Sequence, residues 1–160
     1  MDQPSRPSDQ TACISALLNI NGTEAYTLID TGSTTNSISP EFANATKAPR
    51  IHLQEQVTLQ AGCVGSRSRI HYGTRVPVDF GGINGHVYFD QVNLDRYDCI
   101  IGTPFLNRHG GVVDFGKREL RFSNGKSVPA LPLPTEAALI VKRNANRKEI
   151  VYGKPKPITI

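Results

Sequence analysis

Glycine and proline interrupt this chain at short intervals, and this limits what it can fold into. The 160 residues include 14 glycines and 11 prolines, several of them in turn-forming pairs such as Asn21-Gly22, Gly81-Gly82 and Asn84-Gly85. Turns at this spacing favour short strands over long helices. With 38% hydrophobic and 20% charged residues, the composition is typical of one globular domain. We therefore expect an all-β domain.

The same turn signals locate the elements. A two-residue Asn-Gly turn predicts the first hairpin, whereas Ser39-Pro40 and Thr103-Pro104 each resemble a helix N-cap followed by a first-turn proline and predict short helices, to about residues 47 and 109. The predicted strands are 13–20, 24–29, 51–60, 67–80, 86–94, 97–101, 112–115 and 119–122, with Asn84-Gly85 in a turn. Residues 1–11 are predicted to be a flexible lead-in, 12–124 the domain, and 125–160 a Pro-containing basic linker or tail.

Charge and cysteine content argue against several classes of function. The net charge is +4, but much of the excess lies near the C terminus without interleaved aromatic residues, which makes nucleic acid an unexpected partner. Cys13, Cys63 and Cys99 are odd in number and widely separated, and the four histidines lack ligand spacing. No disulfide framework, metal or other cofactor is predicted.

The N-terminal ten residues are polar and contain proline, and no apolar run reaches the length of a membrane span. A secretory signal would carry a charged start followed by an apolar core. We therefore expect a cytoplasmic protein, or one enclosed in a cytoplasmic particle, with no membrane partner.

One segment has features expected of a catalytic site. In Leu28-Ile29-Asp30-Thr31-Gly32-Ser33 an apolar strand runs into a carboxylate on a tight turn of small residues. Such a turn allows close backbone approach, although Asp-Thr-Gly also occurs in ordinary strand-to-turn junctions. A second element follows far downstream, where Cys99-Ile100-Ile101-Gly102 places an apolar pair before glycine and a predicted helix.

With these two motifs in this order and a glycine-rich hairpin between them, the sequence resembles the retropepsin family of aspartic proteases. The segments 28–39 (LIDTGSTTNSIS) and 97–106 (YDCIIGTPFL) most resemble the proteases of gypsy-like LTR retrotransposon polyproteins. The resemblance covers about residues 12–124. It implies a closed β-barrel with one or two short helices, which forms one half of a homodimeric aspartic protease.

The resemblance also assigns roles to individual residues. Asp30 would be the catalytic carboxylate, and Thr31 and Gly32 would form the turn that holds two such carboxylates together. The implied substrate-binding residues are Ser33, the flap-tip residues Gly62, Cys63, Val64 and Gly65, and the pocket-wall residues Ile100, Ile101 and Gly102. The implied activity is hydrolysis of extended peptides by a water activated between one Asp of each subunit, and the implied substrate is a retrotransposon polyprotein.

Two departures from the viral members bear on the chemistry. Those proteins place an Asp–Arg ion pair where this chain has Thr34 and Thr103, so that brace of the dimer is missing. Ser33 stands where many of them have alanine. A hydrogen bond from its hydroxyl to an ionised carboxylate would favour the charged form, and we therefore expect an activity profile shifted toward acid.

Other functions remain open at this stage. The domain could be a catalytically silent dimerisation or peptide-binding module, because the sequence alone does not show a productive pocket. A pepsin-like monomer is disfavoured, since it would need a second Asp-Thr/Ser-Gly in the same chain. A basic nucleic-acid-binding barrel would reveal itself by salt-dependent binding of oligonucleotides.

Overall fold

The chain forms a small β-barrel with a three-stranded sheet beside it. The computed structural model describes residues 3–4, 12–60, 67–132, 135–136, 139 and 142. The elements lying entirely within these ranges are the strands β1 Ser15–Ile20, β2 Thr23–Ile29, β3 Ser37–Ile38, β4 Ile51–Gln60, β5 Arg67–Phe80, β6 Ile83–Gln91, β7 Cys99–Ile101, β8 Val112–Asp114, β9 Glu119–Arg121 and β10 Ser127–Pro129, and the helices α1 Pro40–Ala45 and α2 Thr103–His109. The prediction of an all-β fold with short helices is confirmed.

Six strands close the barrel. The larger sheet runs β1-β2-β7-β3-β6-β5, and β5 returns to β1 through the pairs Asn19↔Asp79 and Ile20↔Val78. Closure removes the exposed strand edges that would otherwise template aggregation. The interior holds the main apolar cluster, which includes Ile20, Ile38 and Phe89, all fully buried.

The strands β4 and β5 form a hairpin that extends from the barrel. β4 pairs with β5 alone among the described strands, with an irregular register between His52 and Val57. The predicted arms at 51–60 and 67–80 are therefore confirmed. The tip between them, which contains the predicted flap residues Gly62, Cys63, Val64 and Gly65, lies outside the described residues.

Local signals explain the first hairpin and the first helix. Asn21 and Gly22 both have positive φ, 53° and 80°, as the tight turn between two antiparallel strands requires. The Ser39 hydroxyl accepts a hydrogen bond of 3.1 Å from the amide of Phe42 and so caps α1, with Pro40 at the first helical position.

Helix α2 joins the barrel to the second sheet. The ring of Phe105 lies 5.0 Å from that of Phe80 in the barrel and 5.9 Å from that of Phe122, which follows β9. Strands β8, β9 and β10 form an antiparallel meander, and Leu120 and Val128 contribute its buried side chains to the same apolar cluster.

Three sequence-based expectations differ from the structure. Asn84-Gly85 lies within β6, opposite Val78 and Asp79, because Gly81 and Gly82, with φ of 56° and 93°, already make the hairpin turn. The N-cap of α2 is Gly102, and Thr103 is the first helical residue.

The third difference lies after residue 124, where a linker was predicted. Residues 127–129 instead form β10, paired with β9. Beyond it, the amide of Leu131 donates to the carbonyl of Ser15 at 2.8 Å. The folded part therefore continues past residue 124. Within the described ranges, no helix has both the length and the apolar character needed to cross a membrane.

Leu120→Ala tests whether the small sheet stabilises the barrel. Leu120 is 1% exposed, and we expect the truncation to lower the free energy of unfolding by about 2–5 kcal/mol through lost burial and a residual cavity. Val112→Ala, at a side chain that is 50% exposed on the same sheet, should cost about 0.5 kcal/mol or less. Equal effects in urea denaturation would show that the sheet is not part of the cooperative core.

Candidate active site

Asp30 lies at the point where the two sequence motifs meet. It follows β2, which pairs in parallel with β7 so that Leu28 is opposite Ile100 and Ile29 opposite Ile101. The amide of Asp30 donates a hydrogen bond of 2.9 Å to the carbonyl of Ile101. The predicted proximity of the two motifs is therefore observed.

The turn after β2 presents its first residues to solvent. The Asp30 side chain is half-buried, whereas Thr31 and Gly32 are exposed. The amide of Gly32 donates to Oδ1 of Asp30 at 2.9 Å, and the amide of Ser33 donates to the Asp30 carbonyl at 3.1 Å. The carboxylate thus has a fixed orientation beside backbone that is accessible from outside the chain.

Three hydrogen bonds join this turn to the β7–α2 junction, and we call them the turn clamp. The first is the bond from the Asp30 amide to the Ile101 carbonyl. The amide of Gly102 donates to the side-chain oxygen Oδ1 of Asn36 at 3.0 Å, and the amide of Thr103 donates to the carbonyl of Ser33 at 2.9 Å. Two of the three bonds are backbone to backbone, so the clamp depends on close approach of the two segments.

Gly102 is the residue that allows this approach. A Cβ atom at its position would collide with the carbonyl oxygens of Thr35 and Ser33. Both obstacles are backbone atoms that are themselves held in the turn, so they cannot move aside as a flexible side chain would.

The two threonines that replace the ion pair of the viral proteins have different surroundings. Thr34 is exposed and Thr103 is partly buried in the first turn of α2. Thr103 contributes to the turn clamp through its backbone amide. The turn and the helix are therefore joined here without a salt bridge, and no charge needs to be desolvated.

Ser33 makes its contacts inside the turn. Its side chain is 3% exposed, and its hydroxyl donates to the carbonyl of Thr35 at 2.9 Å. A serine hydroxyl has one proton to donate. The acid-shifted profile expected from Ser33 required that proton to reach an ionised carboxylate, and in this structure it is directed to Thr35 instead.

The other predicted pocket-wall residues differ in accessibility. Ile101 is 0% exposed and Gly102 is buried, whereas Ile100 is partly exposed. Ile101 and Gly102 therefore support the site through their backbone groups. Ile100 is the member of this group with side-chain surface left to contact a peptide.

A polar network next to the turn was not predicted from the sequence. Oγ1 of Thr35 donates to Oδ2 of Asp90 at 2.7 Å, and the Tyr88 hydroxyl donates to Oδ1 of the same carboxylate at 2.9 Å. Burial, together with the negative charge of Asp90, raises the pKa of Tyr88 to about 12. Thr35 and Asp90 are separated by 55 residues, and no local signal pairs them.

Among the described residues, no group of three or more His, Cys, Asp or Glu side chains is placed so that it could hold a metal ion.

A closed barrel that delivers Asp-Thr-Gly onto a turn held by an Ile-Ile-Gly-helix element defines a retropepsin-like protease domain. The chain belongs to the PEG10/RTL1 protease domain family, which it matches over residues 26–128 and which is retrotransposon-derived.

Two solved structures are similar to the chain. The retroviral protease-like domain of Ddi1 from Leishmania major aligns with a TM-score of 0.60 at 21% identity, covering 77% of this chain and 97% of that chain. EIAV protease, complexed with the inhibitor HBY-793, aligns with a TM-score of 0.51 at 18% identity, covering 61% of this chain and 88% of that chain. At these identities the likeness establishes the fold. No curated protein sequence matches the chain.

Gly102→Ala tests the turn clamp. Because the added methyl group meets the backbone carbonyls of Ser33 and Thr35, we expect the free energy of unfolding to fall by about 1–3 kcal/mol. Gly85→Ala is the matched control, since a Cβ there has no neighbour within 4 Å. Chemical denaturation of both variants measures the difference, and a Gly102 variant as stable as the Gly85 variant would refute the close approach.

Tyr88→Phe tests the network at Asp90. Removing the donor to a buried carboxylate should lower the free energy of unfolding by about 1–2 kcal/mol at neutral pH. Since the folded pKa of Tyr88 is raised to about 12, its contribution is complete below the unfolded pKa of about 10 and is lost as the pH rises through about 12. The stability gap between wild type and variant should therefore narrow over that window.

The control for this experiment is Tyr72→Phe, at a hydroxyl that makes no hydrogen bond to the described part of the chain. It should leave the free energy of unfolding nearly unchanged. A gap that stays constant from pH 8 to pH 12 would contradict the assignment of the raised pKa.

Proposed function

We propose that this chain is an aspartic endopeptidase whose active site forms when two copies each contribute Asp30. The observation that carries the proposal is the exposed turn. Thr31 and Gly32 are accessible, while the residues around them are tied into the barrel. The sequence contains a single Asp-Thr-Gly, and in the proposed enzyme the second carboxylate comes from a second copy of the chain. A two-fold homodimer brings identical turns together on its axis.

The chemistry follows from the proximity of two carboxylates. Side by side, they cannot both ionise cheaply, so the pair shares one proton and titrates as a unit, as in other aspartic proteases. The ionised member accepts a proton from a bound water, which attacks the peptide carbonyl. The protonated member donates to the carbonyl oxygen as negative charge develops there. The C–N bond then breaks as the first carboxylate passes its new proton to the leaving amine and the second carboxylate regains a proton from the tetrahedral intermediate, which releases two peptide ends and restores the shared proton.

Features of the single chain support this role for Asp30. The bond from the Gly32 amide to Oδ1 fixes the carboxylate plane, and the bond from the Asp30 amide to Ile101 fixes the backbone behind it. Preorganisation of this kind lowers the cost of aligning reacting groups. Ser33, bonded within the turn, acts here as a structural support.

The proposed substrate is an extended peptide segment, as in a polyprotein encoded by a retrotransposon-derived gene. Membership of the PEG10/RTL1 protease domain family supports this substrate class. The arms of β4 and β5 extend as a hairpin, and we propose that the segment joining them, including Gly62 to Gly65, closes over the bound peptide as a flap.

Cleavage assays with matched aspartate variants test the proposal. We expect the full chain to cleave a denatured protein between acidic and neutral pH, with specific activity that rises with protein concentration because the dimer is the active form. Asp30→Asn should reduce the rate at least about a hundredfold, since it removes the shared general acid and base. Asp79→Asn, at an exposed side chain distant in sequence from the turn, should retain full activity.

Sedimentation of the same samples measures whether the chain is a monomer or a dimer. Inhibition by a pepstatin-type compound would agree with a carboxylate pair. Cleavage that survives Asp30→Asn would overturn the assignment, and a stable dimer without cleavage at any pH would identify a silent dimerisation or peptide-binding module instead.

A further inference from the structure

A cavity lies beside the candidate active site, and Asp30 is not among its lining residues. It measures about 380 Å³, within the range of roughly 300–1,000 Å³ that is usual for ligand sites. Its walls come from the β5–β6 hairpin, from residues 34–36 and from helix α2. None of the residues predicted to catalyse or bind substrate lines it, so the catalytic role of Asp30 does not account for it.

The cavity has an apolar floor and a basic rim. The buried side chains of Val78, Ile83 and Phe105 form the floor. The exposed side chains of Arg75 and Arg108 stand at the rim. Ligand sites commonly combine a mostly apolar lining with a few polar groups that orient the ligand.

The charge of the rim is not balanced within the chain. In the part of the chain that the structure describes, neither Arg75 nor Arg108 forms an ion pair, and the two salt bridges there both belong to Arg121. The cavity has one carboxylate, Asp90, and both of its oxygens already accept hydrogen bonds from Thr35 and Tyr88. An anionic group entering the cavity therefore meets two guanidinium charges against the single charge of Asp90, and neither guanidinium group is already paired within the described residues.

Two histidine rings supply further N–H donors. His86 and His109 also line the cavity. Burial and the neighbouring charge of Arg108 lower the pKa of His109, so it is neutral at neutral pH and keeps one N–H to donate. Its ring lies 4.4 Å from that of Phe105, which fixes its position at the edge of the apolar floor.

We propose that this cavity binds an acidic peptide segment, with a carboxylate on Arg75 and Arg108 and a neighbouring apolar side chain on the floor formed by Val78, Ile83 and Phe105. Guanidinium groups suit carboxylates because they can donate two parallel hydrogen bonds. A small inorganic anion would leave the floor and most of the volume unfilled. The binding site is separate from the cleavage site and does not depend on the activity proposed above.

The wall formed by residues 34–36 places the cavity next to the turn clamp. Asn36 lines the cavity and accepts the hydrogen bond from Gly102. A ligand that packs against this wall restricts the same loop that follows Asp30. Binding should therefore raise the thermal midpoint of the chain.

The test uses the full chain carrying Asp30→Asn, so that no peptide is cut. The probe is a fluorescent tetrapeptide amide of alternating glutamate and leucine, and the matched probe has glutamine in place of glutamate. We expect saturable binding of the acidic peptide with about tenfold weaker binding of the neutral one, because charge-assisted hydrogen bonds are lost. Arg75→Gln and Arg108→Gln should each weaken binding of the acidic peptide by about five- to tenfold on the same grounds.

Arg96→Gln is the matched control. It removes the same charge from an exposed loop residue that does not line the cavity, and it should leave the affinity unchanged. Thermal midpoints of the unliganded variants confirm that all of them fold. Equal binding of the two peptides, an equal effect of Arg96→Gln, or displacement by a pepstatin-type ligand of the cleavage site would each overturn the proposal.

Discussion

The arrangement of this domain depends on one contact, the clamp between the turn after β2 and the junction of β7 with α2. Its bonds at Asp30, Ser33 and Asn36 are 2.9, 2.9 and 3.0 Å long. They fix the carboxylate through the backbone, so the position of Asp30 is set by the barrel rather than by side-chain packing. Gly102 makes this possible because any larger residue would collide with two carbonyl oxygens.

These hydrogen bonds explain how the turn is held to helix α2 in the absence of the Asp–Arg ion pair found in the viral proteases. Thr34 and Thr103 occupy those positions, and the hydrogen bond from the Thr103 amide joins the two segments without burying a charge. The network of Thr35, Asp90 and Tyr88 supports the next residues of the loop.

Sequence reasoning recovered what local chemistry encodes. Asn21-Gly22 predicted the first hairpin and Ser39-Pro40 the first helix, and the resemblance placed the two motifs side by side, as the pairing of β2 with β7 does. It failed where a local signal was overruled or absent. Asn84-Gly85 is a typical turn sequence, but Gly81 and Gly82 already form the hairpin turn, so Asn84 and Gly85 lie in the strand that follows. The roles of Asn36 and Asp90 depend on partners far along the chain, and the flap tip lies outside the described residues.

The parallel pairing of β2 with β7 also has a consequence for the order in which the protein is made. Gly102 and Asn36 are 66 residues apart, and long-range pairings of this kind form late because a large loop must close before they contribute stability. During translation, the Asp30 turn therefore lacks its clamp until the β7 segment has emerged from the ribosome. The segment that carries Asp30 is thus synthesised well before the segment that orders its turn.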